Sequence, residues 1–155
     1  MPAGQARANA YAAYFDDWFS VDGKSPVQIN RLFAADESPM SRRPILTLRP
    51  LSHQLNLYID HRFADSDYAA LATELQRDPQ YAGDTILICW HHGHLIDLAN
   101  ALGMQAKPPS SWKDGKWPGD VYGYVAQLVY DGNGQVTSSS YRNGQLMYDD
   151  AVKED

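Results

Sequence analysis

The chain has 155 residues, enough for one domain with its own core and no need of disulfide or metal staples. Apolar residues make up 44% and charged residues 21%, an ordinary globular balance. Net charge is −6 and the 13 Lys and Arg form no long run, which argues against nucleic acid or an anionic membrane as the main partner. A local pair of arginines could still hold a small anionic substrate. The single Cys89 excludes an internal disulfide and a cysteine-based zinc site. No apolar stretch approaches the roughly 18 residues of a spanning helix. The start, "MPAGQARANAYAAYFDDWF", lacks the apolar centre of a signal peptide, so the expected location is cytoplasmic.

The first predicted element is an amphipathic helix from about Ala3 to Phe19, with Ala8, Tyr11, Ala12, Phe15, Trp18 and Phe19 on one face. "VDGKSP" is a loop, "QINRLFAAD" a short strand and "ESPMSRR" a polar turn. Pro44 suits the first turn of a second helix, "PILTLRPLSHQL", which Pro50 should kink or divide. "NLYID" is a strand, "HRFADSD" a loop, "YAALATELQR" a helix, and "DPQYAGD" ends it. "TILICW" is continuously apolar, as a strand covered on both faces would be. "GHLIDLANALG" is a helix with Leu95, Leu98, Ala99 and Leu102 inward and Gly103 as its stop. After the long loop "MQAKPPSSWKDGKWPGD" comes a hairpin: "VYGYVAQLVY", the turn "DGNG", then "QVTSSSY". Trp117, Tyr122 and Tyr124 read as hairpin core. Strands alternating with helices predict a single α/β domain over 1–155.

The chain has five histidines, and His91, His92 and His94 crowd the end of "TILICW". In α/β folds ligands collect beyond the carboxyl ends of the strands, where helix amino termini offer N–H groups to anions. Gly93 would let a ligand approach the backbone closely. Two other strand ends feed the same edge: Arg42 and Arg43 follow "LFAAD", and Asp65 and Asp67 follow "NLYID". Guanidinium, imidazole and carboxyl groups at one edge suit phosphoryl transfer. Each also has a structural reading. A histidine at a strand end is commonly a hydrogen-bonded scaffold residue, Arg42 and Arg43 make a solvated turn, and Ser66 or Asp67 caps a helix. His92, His94 and Asp97 additionally form an H-x-H-x-x-D cluster of the kind found in metal-dependent hydrolases, although further ligands are scarce.

These segments resemble, in order, the histidine phosphatase superfamily that includes the phosphoglycerate mutases. "TILICWHHGHLIDLANALG" resembles the segment of the family's second catalytic histidine, and His92–Gly93 takes that place. "SPMSRRPILTLRPL" is similar to the family's S-P-L-x-R-x-x-x-T, whose arginine binds phosphate. Counted back from Thr47 the match is Arg43, counted forward from Ser38 it is Arg42, and Arg43 is preferred because it abuts the helix. "FADSDYAAL" resembles L-N-E-R-x-Y-G-A-L, which places Asp65 on the acidic proton donor. "QLMYDD" resembles the closing Q-x-L-x-x-G-D, with Tyr148 and Asp149 standing where Gly is usual.

The resemblance implies a three-layer α/β/α sandwich of the phosphoglycerate mutase-like type, a phosphomonoester substrate, a phosphohistidine intermediate and no metal or other cofactor. It also implies that His92, Arg43 and Asp65 converge on one cleft, with His92 and Asp65 catalytic and Arg43, Arg42, His92 and Gly93 binding phosphate. The departure is the family's R-H-G, whose histidine is the nucleophile, because no R-H-G occurs in this sequence. The expectation is a chain that starts one element late, lacks the central first strand, and hydrolyses nothing alone. Its partners would be phosphate or a small phosphorylated substrate. The strands flanking the gap would pair directly, be covered by a second copy, or leave a groove. The alternatives are a non-catalytic phosphate-binding or interaction domain, and a metal-dependent hydrolase using His92 and His94.

Overall fold

The computed structural model describes residues 2–15, 19–20, 26–39 and 41–144. Trp18 and "QLMYDD" fall outside these residues, as does most of "VDGKSP". The chain splits into two compact units, Met1–Asp65 with Gly83–His91 and Ser66–Ala82 with His92–Asp155. Both mix helices and strands. Among the described residues no helix is long and apolar enough to cross a membrane.

The first unit is built on β3 (Arg31–Ala34), whose Leu32, Phe33 and Ala34 are all buried. β3 is the middle strand of a parallel three-stranded sheet, between β4 (Ile59–Asp60) and β5 (Ile86–Cys89). Parallel neighbours need a crossover, and α2 (Arg43–Leu55) supplies it between β3 and β4. Ile45, Leu48 and Leu51 form the buried stripe of α2 at helical spacing. α1 (Pro2–Tyr14) packs on α2, where Ala8 and Ala12 let the helices approach and Phe15 is buried. Gln54 Nε2 donates to the Ala12 carbonyl at 3.1 Å, tying the two together.

Three expectations change here. The first helix stops at Tyr14, and Phe19 belongs to the two-residue strand β1 (Phe19–Ser20), paired antiparallel with β2 (Pro26–Val27). An aromatic residue fits a strand at least as well as a helix, and a cross-strand partner decides which. Pro50 does not divide α2, which runs through it. Proline removes only the bond to the Leu46 carbonyl, and Leu46 lies on the exposed face, where water can replace that donor. β5 is half-buried at every residue rather than covered, and among the described residues it has a ladder partner on one side only.

In the second unit α3 (Tyr68–Arg77) and α4 (His92–Ala101) pack through Leu71 and Ala72 against Leu98 and Ala99. Gly103 ends α4 at φ +98°, and a Cβ there would stand 2.9 Å from Val136 Cγ2, so both conformation and space require glycine. β6 (Tyr124–Tyr130) and β7 (Val136–Asn143) form a separate antiparallel hairpin. Asp131 closes its turn by accepting from the Asn133 and Gln135 N–H groups, and Gly134 takes φ +77°. The hairpin is fastened to the end of α4: Ser139 Oγ accepts from Gln105 and Ala106 N–H, and Tyr130 Oη donates to the Leu102 carbonyl. Trp112 and Trp117, both buried, pack edge-on against Tyr124 and Tyr141 as its core. Tyr122 is not in that core, being about half exposed. Among the described residues β6 ladders only with β7.

Candidate functional site

The carboxyl edge of the parallel sheet is closed by three hydrogen bonds. Ala35 N–H donates to the Cys89 carbonyl at 3.1 Å and Asp36 N–H to the Phe63 carbonyl at 2.8 Å. The Trp90 indole N–H donates to the Asp65 carbonyl at 2.9 Å. Trp90 therefore ties the end of β5 to the loop carrying Asp65. Sequence reasoning treated this tryptophan as the last strand residue, and only its pairing reveals the role. Asp65 opens a single 3₁₀ turn, Asp65–Asp67, with its Oδ1 shielded from solvent. Asp67 stands at the N-cap of α3, but its side chain makes no capping bond.

Arg42 and Arg43 part company at the start of α2. A tight turn, in which Ser38 and Ser41 exchange backbone hydrogen bonds, delivers both to the helix. Arg42 is the N-cap residue and pairs with Glu37 at 2.7 Å. Arg43 is the first helical residue. Its N–H donates to Ser41 Oγ at 3.2 Å, its carbonyl accepts from Thr47 Oγ1 at 2.7 Å, and its exposed guanidinium makes no ion pair among the described residues.

In the second unit, His92 is the first residue of α4 and is exposed. Gly119, in the loop before the hairpin, lies against its imidazole: a Cβ there would be 3.3 Å from Nε2. That contact was not legible in "KWPGD". Gly93 has nothing within 4 Å of where a Cβ would stand, which leaves the helix start open to a ligand. His94 stacks on Tyr68 of α3, rings 5.4 Å apart, so it serves α3–α4 packing. Among the described residues no three His, Cys, Asp or Glu side chains gather as metal ligands would, which leaves the H-x-H reading without support. Arg42, Arg43 and Asp65 thus belong to the first unit, His92 and Gly93 to the second.

Burial pushes the Cys89 thiol up to about 12, opposed by a hydrogen bond with Thr47. A thiol held protonated at neutral pH is a weak nucleophile, so a disulfide reagent should label the folded chain more slowly than the unfolded one. Rapid stoichiometric labelling without denaturant would contradict this. The chain matches no protein-family model, no curated protein and no solved structure.

Proposed function

We propose that the chain carries the phosphate site of a histidine phosphatase on a phosphoglycerate mutase-like α/β/α scaffold, without the nucleophile. On this reading Arg43 of the first unit binds phosphoryl oxygens and Asp65 of the same unit is the proton donor to the leaving oxygen, while in the second unit His92 and the α4 amino terminus around Gly93 bind phosphoryl oxygens. The observation that carries this reading is the pairing of β3 and β5. They are adjacent, parallel and in register through Ala34↔Cys89, and the chain leaves each to begin a helix, at Arg43 and at His92. The free guanidinium of Arg43 supports it further, because Arg42 is engaged by Glu37. The one-sided ladder of β5 supports self-association: Ile86, Leu87, Ile88 and Cys89 form an apolar strand with none of the charges or prolines that protect an edge.

Inorganic phosphate titrated into the chain tests the site. Arg43→Ala and His92→Ala should each weaken binding by about tenfold or more, the effect of losing a charge-assisted hydrogen bond. Arg42→Ala should change it by less than about threefold, because that side chain already serves an exposed pair. Equal losses in Arg42→Ala and Arg43→Ala, or no phosphate binding at all, would remove the reading.

A further inference from the structure

A groove of about 440 Å³ runs between α2 and β4, entirely within the first unit, and the phosphate site makes no use of it. That volume falls in the range of about 300–1,000 Å³ typical of small-molecule clefts. Its chemistry is uneven. In a chain of net charge −6, the lining holds Arg49, His53 and His61 and not one carboxylate. Ile45, Leu57 and Tyr58 supply its apolar part.

Arg49 and His53 are one turn apart on α2, which places them on one helix face. No ion pair engages Arg49 among the described residues. His61 is oriented from behind, with Nδ1 on Asp36 Oδ1 at 2.8 Å, so Nε2 is the nitrogen left for a ligand. That hydrogen bond also holds the Asp36 carboxyl below its usual range. The neighbouring Asp60 is taken by Arg62 at 2.9 Å. Two of the carbonyls at the end of α2, which would repel an anion, are occupied. Asn56, at φ 54°, donates its N–H to the His53 carbonyl, and Leu57 donates to that of Ser52. Tyr58 is 77% exposed, a large ring with little packing of its own, 6.4 Å from the His61 ring.

We infer that this groove binds a planar aromatic or heteroaromatic ring bearing an anionic group, carboxylate or phosphate, with Tyr58 stacking on the ring and Arg49 holding the charge, joined by His53 and His61 in their protonated forms, in which both ring nitrogens donate. An arginine fork matches either anion. The ring would cover the face of Tyr58 that packing in the fold leaves exposed.

The test uses the whole chain carrying Arg43→Ala, so that the proposed phosphate site is disabled and the two readings can fail separately. Adenosine 5′-monophosphate and 4-hydroxybenzoate are titrated by calorimetry. At least one should bind with a dissociation constant of the order of 0.1–1 mM. Adenosine or inorganic phosphate alone should bind about tenfold more weakly, since each lacks half of the contact. Arg49→Ala should weaken the bound probe about tenfold and Tyr58→Ala about fivefold, while Tyr58→Phe should retain binding. Both side chains are exposed, so unchanged thermal melts will show that the variants fold. No saturable binding of either probe, or binding indifferent to Arg49→Ala, overturns the inference.

Discussion

Fusing an upstream strand that ends in Arg-His-Gly to this chain is expected to turn a silent protein into a p-nitrophenyl phosphatase. Under the proposed reading the 155 residues supply the groups that bind and polarise the phosphoryl group but not the one that attacks it. Covalent catalysis divides one difficult step into two easier ones, and removing a nucleophile from such a set costs on the order of a thousandfold or more in turnover. Under the same proposed reading His92 would not substitute, because it would stabilise the transferring group rather than accept it. The gain should disappear on His92→Ala in the extended chain and fall on Arg43→Ala. The added strand should also raise the melting temperature if it covers the open edge of β5, whose backbone has, among the described residues, a ladder partner on one side only. Robust hydrolysis by the unextended chain, after chelation and beyond contaminant levels, would show that the chemistry belongs to other residues.

Leu32→Ala should be the most damaging single change in the first unit. Leu32 is 1% exposed on the middle strand, flanked within the sheet by Leu87 of β5 and Ile59 of β4. Truncating a fully buried leucine costs about 2–5 kcal/mol, the lost transfer energy plus the cavity left behind. That corresponds to a fall of roughly 5–15 °C in melting temperature for a chain of this size. Leu46→Ala is the control: at 44% exposure on the outer face of α2 it should move stability by no more than about 0.5 kcal/mol. Circular dichroism melts of the two variants make the comparison. Similar losses in both would mean that β3 is not the centre of that unit. Loosening β3 should also bring Cys89 within reach of thiol reagents, since β5 is held by the same ladder.

Much of the local structure was legible because its signals are local. "YAALATELQR" is α3 residue for residue, the stop at Gly103 follows from a conformation that glycine tolerates, and "DGNG" makes the hairpin turn through Asp131. Pro44 sits in the first turn of α2, where a missing N–H costs nothing. The apolar stripes of α2 and α4 bury the residues their spacing selects, Leu48 and Leu51 on one and Leu98 and Ala99 on the other. These outcomes depend on neighbours within a turn or two along the chain.

What the sequence by itself determined, then, was the mixed α/β class, most helix positions, and which polar residues stand where strands give way to helices. Tertiary structure decided the rest. Phe19 became strand because Val27 stands across from it, and β5, half-buried, gained only β3 as a ladder partner among the described residues. Glu37 paired with Arg42 and not with Arg43, and His94 came to stack on Tyr68. Trp90 became the tie to Asp65, and Arg49, Tyr58 and His61 came to line one groove. Each of these turns on a partner outside the element itself, brought close by folding, and side-chain periodicity records which face is apolar without recording what will meet it.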